Sequence, residues 1–230
     1  MTYNTDMLSK RKKIVIIVIS SVVFDLSMAV AVPFIILGVR TANIKNDYAY
    51  LKEDTTYSTK VETEGVELVT QHISCGYASI EMLSTYYGNK VSEDDLDSKN
   101  GGRITTSSSN GFLKEVNASI PSKTFVKHSY LKNDQLLKDI HDSLSNDNPV
   151  AIEWAAKYEG EWTLHFSVIT GLDLSSNIVT IYNPYGYIEN IKVDEFISRS
   201  TFAAYEKMPL FLSFGFAYGA FEKNTIFFAI

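Results

Sequence analysis

A run of 26 residues, Ile14 to Val39, is apolar except for one charge, Asp25, and it directly follows the basic cluster Lys10-Arg11-Lys12-Lys13. That exceeds the roughly 20 residues needed to cross a bilayer. Asp25 opposes insertion by about 2.5–3.5 kcal/mol. The run also holds 17 Ile, Val, Leu and Phe residues, each favouring insertion by about 0.3–0.6 kcal/mol, so the sum favours the membrane. The basic cluster is expected to stay in the cytoplasm, which sends residues 40–230 outside. This divides the chain into a cytoplasmic basic tail at 1–13, a transmembrane signal anchor at 14–39, a polar stalk or linker at 40–64, and a folded domain at 65–230. The competing reading is a cleaved signal peptide ending at the small-residue site Ala29-Val30-Ala31, which leaves a secreted domain. Both readings export the domain.

The exported part carries 17 basic and 25 acidic residues, and no basic cluster lies outside the N-terminus. This argues against nucleic acid as a partner. Within it, apolar residues at 78, 82, 83 and 86 predict a helix from Cys75 to Tyr87, closed by Gly88. Ser92 to Leu96 reads as a capping box opening a short helix. Asn110–Ala118 reads as a weak helix, and Asn133–Leu144 as an amphipathic one capped by Asn133. Strands are expected at Val66–Val69, Val150–Trp154, Leu164–Leu172, Ile178–Asn183 and Tyr187–Lys192. A short helix opens at Asp194, and the Phe-rich tail from Leu210 to Ile230 is β-prone, with bends at Gly215 and Gly219. Helices come first and antiparallel strands later, an α+β pattern.

The chain has one cysteine, Cys75. It cannot form an intramolecular disulfide, and one sulfur does not make a thiolate metal site, so it is a buried filler or a nucleophile. At the start of a helix a thiol meets the positive end of the dipole and unpaired N–H groups, which favour thiolate. A nucleophile also needs a base and a group that holds the base's tautomer. Of four histidines, His128 sits in a polar context and His141 on the polar side of its helix, so both are expected at the surface. His72 is near Cys75 but poorly anchored. His165 lies in the apolar strand Leu164–Gly171, where a polar ring needs a reason. If residues 173–177 form the hairpin loop, Leu172 faces Ile178, and His165 shares a face with Asn183 one pair away diagonally. A one-residue slip separates them. Read singly, His165 is a hydrogen-bonded core residue and Asn183 a turn former before Pro184. Trp154, Trp162 and Tyr185 line a cleft or pack the sheet.

Gln71, Cys75-Gly76-Tyr77-Ala78, Tyr86-Tyr87-Gly88, Leu164-His165-Phe166 running to Gly171, and Tyr182-Asn183-Pro184-Tyr185-Gly186 together resemble the papain-like bacteriocin-processing peptidases, which act on double-glycine leaders. The closer likeness is to their free-standing relatives without a transporter. It covers residues 66–230 and implies a two-lobe papain-like fold, with a helical lobe carrying the cysteine and a sheet lobe carrying the histidine. It implies Cys75 as nucleophile, His165 as general base, Asn183 as orienter, and Gln71 with the Cys75 N–H as oxyanion hole. The implied partner is a peptide or protein substrate, with no metal or organic cofactor. Two departures stand out. The third position is an amide where transporter-linked members usually carry aspartate, and Gln71 lies four rather than six residues before the cysteine. Rival readings are an amidase or transglutaminase-type acyl transfer on the same residues, and a non-catalytic binding or immunity module at the membrane surface.

Overall fold

The computed structural model describes residues 3–42, 48–201, 218 and 222–230. A single helix, α1 (Tyr3–Ala42), contains the apolar run, and it interrupts its hydrogen-bond ladder only at Pro33. Its segment Lys12–Ile36 is long and apolar enough to cross a membrane, and apart from Pro33 and Ile36 it is exposed. Ile14 to Ile35 present a large and mostly exposed apolar surface, which Tyr218 touches by donating its hydroxyl to Ala29 O at 3.1 Å.

The remaining elements follow in chain order. A 3-10 turn at Ala49–Lys52 precedes β1 (Val61–Glu62), α2 (Cys75–Tyr86), α3 (Glu93–Lys99), α4 (Ser109–Ser119) and β2 (Phe125–His128). Then come α5 (Asn133–Ser145), β3 (Val150–Tyr158), β4 (Glu161–Asp173), β5 (Ile178–Asn183), β6 (Tyr187–Lys192), α6 (Val193–Ser200) and β7 (Thr225–Ala229). The strands form one antiparallel sheet ordered β2-β7-β3-β4-β5-β6, with β1 on the far end of β4. One face packs α2, α3 and α4 around Phe112, Phe166 and Phe227. The other packs α5 and α6 around Trp154, Ile152 and Phe196. Each fully buried side chain of this size contributes about 1.5–3 kcal/mol. The expected α+β class is present, with the cysteine on the helical layer and the histidine on the antiparallel sheet.

Several local expectations change on contact with the tertiary structure. Val66–Val69 forms no strand; the pairing in that region is made earlier, by Val61 and Glu62 against Leu172 and Gly171. Within residues 40–64, Tyr48 and Leu51 are buried in the α5/α6 core, and Tyr48 hydrogen-bonds Asp194, so packing begins well before residue 65. That packing also covers His141, which is buried rather than solvated, with the Tyr57 ring edge-on at 5.2 Å. Lys132, not Asn133, is the N-cap of α5, and the Asn133 side chain instead accepts from Asn224 at 3.1 Å. His128 is exposed, as expected, but lies on strand β2, which the sequence reading passed over. Of the β-prone tail, β7 is described, whereas Gly215 and Gly219 fall outside the described residues.

Candidate active site

Cys75 is the first residue of α2. Ser74 caps the helix by accepting the Tyr77 N–H at 3.1 Å, the ordinary use of a serine at this position. The loop before it is gripped from α3. Buried Glu93 accepts three consecutive backbone N–H groups, from His72, Ile73 and Ser74, at 2.9–3.0 Å. His72 is spent on the same cluster, with its ring nitrogens 3.1 Å from Glu93 and Asp94, so it does not face Cys75 as a base. Gly76 permits a close approach of the neighbouring loop: a Cβ there would lie 2.3 Å from Thr106 Oγ1.

The β4–β5 hairpin decides how His165 meets Asn183. Next to its turn the register is Asp173↔Ile178 and Leu172↔Val179, one residue away from the expected pairing. A bulge between Ile169 and Gly171 then restores that pairing, Ile169↔Ile181 and Val168↔Tyr182. Beyond the bulge His165 and Asn183 share a face, and His165 Nε2 lies 2.8 Å from Asn183 Oδ1. Asn183 also accepts the Tyr185 N–H on Oδ1 at 2.9 Å and donates from Nδ2 to Glu189 Oε1 at 2.6 Å. With Oδ1 the acceptor, the neutral imidazole carries its hydrogen on Nε2 and a lone pair on Nδ1. Tyr185 stacks on the ring at 4.0 Å, and its hydroxyl is 2.9 Å from Thr163. Tyr185 is thus part of the histidine's setting, whereas Trp154 is fully buried and packs the sheet.

The two halves meet at an open strand edge. β5 leaves β4 after Val168↔Tyr182, and the N–H of Phe166, next to His165, is directed at the Cys75 sulfur. Gln71 is tied to the same corner, its N–H donating to Pro184 O at 2.7 Å. Its Oε1 is buried and has no hydrogen-bond partner among the described residues. Cys75 keeps part of its surface open. Burial around the sulfur nevertheless pushes the thiol up to about 11, while the N–H groups of Phe166, Gly76 and Cys75 itself pull it back, and Glu153 pushes it further up. Burial pushes His165 down to about 3, against the Asn183 bond that raises it. The resting pair is therefore thiol and neutral imidazole. Desolvation outweighs the helix N-terminus that was expected to favour thiolate. No hydrogen bond joins Cys75 to His165 among the described residues, so proton transfer requires the two to close together.

Three groups escaped the sequence reading. Glu189 and Arg199 stand behind Asn183. Arg199 donates to Glu189 at 2.6 and 3.2 Å and to Ala155 O at 2.8 Å, and its guanidinium lies 3.6 Å over the Trp154 ring. Glu153 is fully buried in β3, with the Ser109 hydroxyl as its nearest polar neighbour and no close hydrogen bond among the described residues, and burial pushes it up to about 8 while Ser109 pulls it back. A charge inside the apolar strand Val150–Trp154 was a visible signal for Glu153, of the same kind that singled out His165. No group of three or more metal-ligating side chains occurs among the described residues.

Residues 63–209 match the model of the Peptidase_C39 like family. The chain belongs to that family. It is by membership a cysteine peptidase, and the match takes in Cys75, His165 and Asn183. No curated protein matches the chain. Among solved structures, one similar chain is a double glycine motif protease from an AMS/PCAT transporter in complex with the leader peptide. It is 18% identical at a TM-score of 0.47, over 74% of this chain and 98% of that one. Another is described as a C39-like peptidase from Bacillus anthracis, 13% identical at a TM-score of 0.49, over 75% and 98%. A third is the peptidase domain of Streptococcus ComA, a bi-functional ABC transporter involved in quorum sensing, 18% identical at a TM-score of 0.46, over 72% and 98%.

Proposed function

We propose that this chain is an exported, membrane-tethered cysteine peptidase that hydrolyses peptide bonds through Cys75, His165, Asn183 and Gln71. Residues 14–39 cross the membrane with the N-terminus in the cytoplasm, and the peptidase domain, residues 65–230 with the segment from Tyr48 packed onto it, acts outside on a peptide or protein. The observation that carries this reading is the 2.8 Å contact between His165 Nε2 and a fixed Asn183 Oδ1, which leaves Nδ1 as the basic nitrogen. As a substrate carbonyl approaches, Nδ1 takes the Cys75 proton and the sulfur attacks the carbonyl carbon. The Gln71 side chain and the Cys75 N–H stabilise the oxyanion. Imidazolium then returns the proton to the leaving amine, and water hydrolyses the thioester by the same route. Because the resting pair is neutral, the thiol proton passes to His165 as the sulfur attacks an electrophile, not before.

The test is to incubate the full chain, in detergent micelles, with a proteome-derived peptide library and to sequence the products by mass spectrometry. Wild type is expected to yield a set of cleaved peptides that Cys75→Ala does not produce. His165→Ala is expected to lower their formation by about 10²–10⁴-fold. Products that persist in Cys75→Ala would overturn the reading. Amine-linked products on addition of a primary amine would move the assignment to acyl transfer.

A further inference from the structure

The His165–Asn183 contact continues outward as a run in which every donor meets an acceptor. His165 Nε2 gives to Asn183 Oδ1. Asn183 Nδ2 gives to Glu189 Oε1, and Glu189 Oε2 receives Arg199 Nη1. Arg199 is fixed by Ala155 O and by the Trp154 face, and its side chain is only 5% exposed. The elements that supply these groups are the strand pair β5–β6 and helix α6, far from Cys75 in the chain. An asparagine amide has two ends of nearly equal shape, and turning it over exchanges donor for acceptor. If Asn183 turned, its NH₂ would face Nε2, and the imidazole would have to carry its hydrogen on Nδ1. That leaves no lone pair on the nitrogen that must receive the thiol proton.

We infer that Glu189, held by Arg199, is a positioning residue that fixes the Asn183 amide and through it the Nε2–H tautomer of His165. The assignment rests on the reading of His165 as general base. Glu189 takes three hydrogen bonds at once, from Asn183 Nδ2 and Arg199 Nη2 on Oε1 and from Arg199 Nη1 on Oε2, so both of its oxygens must accept. A glutamine at 189 puts an NH₂ in place of one of those oxygens. Each arrangement then sets a donor against a donor, and one of them turns Asn183 over. An aspartate at 183 fails differently, because it sets a carboxylate against Glu189. With both changes the link from 183 to 189 is restored. The carboxylate at 183 would accept from His165, from the Tyr185 N–H and from the new amide NH₂ at 189, and the oxygen of that amide would accept from Arg199 Nη1, which leaves only the longer Nη2 contact without an acceptor.

The test uses the full chain in micelles with Glu189→Gln, Asn183→Asp and the double variant. Two readouts are recorded, ¹⁵N NMR of the histidine ring nitrogens and the rate of iodoacetamide alkylation of Cys75, the only thiol. His165→Ala assigns the resonances and sets the floor of the rate. Wild type is expected as the Nε2–H tautomer. Glu189→Gln is expected to show a mixture with Nδ1–H and an alkylation rate about 10–100-fold lower, as for loss of an orienting partner. Asn183→Asp is expected to slow alkylation comparably, and the double variant to recover most of the loss and the wild-type tautomer. A pure Nε2–H ring with unchanged alkylation in Glu189→Gln would overturn the inference, as would a double variant no better than either single one. If Glu189→Gln alone fails to fold, Asn183→Asp against the double variant decides the matter. If His165→Ala leaves alkylation unchanged, the general-base reading fails, whereas the tautomer still reports on Glu189.

Discussion

The two sides of the site differ in how their buried polar atoms are met. On the histidine side, His165, Asn183, Glu189 and Arg199 form a continuous run with each group partnered. On the cysteine side, Gln71 Oε1, Ser79 Oγ, Thr106 Oγ1 and both oxygens of Glu153 have no partner among the described residues. A buried polar atom without a partner costs about 1–3 kcal/mol, so the groups directly behind His165 avoid a cost that the surroundings of Cys75 carry. The contrast fits a base that is set before substrate arrives and, on the nucleophile side, a half-exposed Gln71 left open to meet the substrate, which is where transition-state stabilisation is gained.

The largest expected effect separates these roles at Gln71. Gln71→Ala should lower peptide turnover by about 10²–10³-fold, the usual loss for one oxyanion donor. Iodoacetamide alkylation of Cys75 forms no oxyanion and should stay near the wild-type rate. Parallel loss in both assays would show that Gln71 holds the loop rather than the oxyanion, and the contrast between the two sides would weaken.

A smaller effect tests how tightly the cysteine loop is packed. Gly76→Ala brings a methyl group within 2.3 Å of Thr106 Oγ1 and 2.4 Å of its Cβ. It should cost about 1–3 kcal/mol as overpacking, read as a lower Tm. Gly76→Ala/Thr106→Gly should recover most of it. A Tm unaffected by Gly76→Ala would mean that the loop yields freely.

The smallest concerns pH. Glu153 in the folded chain holds its proton to about 8, against an ordinary value of 4.5. Its raised value therefore favours the folded state fully at low pH, and that contribution is lost as pH rises from 4.5 towards 8. His165, lowered to about 3 from 6.5, acts in the opposite sense, with stability lost as pH falls from 6.5 towards 3. Each slope is at most about 1.4 kcal/mol per pH unit. Glu153→Gln should flatten the decline in Tm between pH 6.5 and 8 and leave the acid limb in place. An unchanged profile would mean that Glu153 is not held protonated.

Much of this was readable from the chain because it depends on near neighbours. The apolar period and Gly88 located α2 at Cys75–Tyr86, and Ser92 with Asp95 makes the expected capping box. A polar ring in an apolar strand singled out His165. The hairpin arithmetic for Asn183 reached the right face for an incomplete reason: the pairing slips by one at the turn, and the bulge at Ile169/Gly171 cancels the slip. Gly171 inside the apolar strand was the mark of that bulge, but a glycine does not say whether or which way the register shifts.

The sequence by itself determined which residues could carry the chemistry, because capping, period and the cost of a polar group in an apolar run are local properties. It also determined that α1 is a long apolar helix unlike any other element of the chain. Only the tertiary structure decided that Glu93 grips the loop before Cys75, that the covering segment at 48–57 buries His141, and that Glu189 and Arg199 stand behind Asn183. These depend on which distant surfaces meet. It also decided that the resting thiol and imidazole are neutral, since desolvation is set by everything packed around a group and not by its neighbours in the chain.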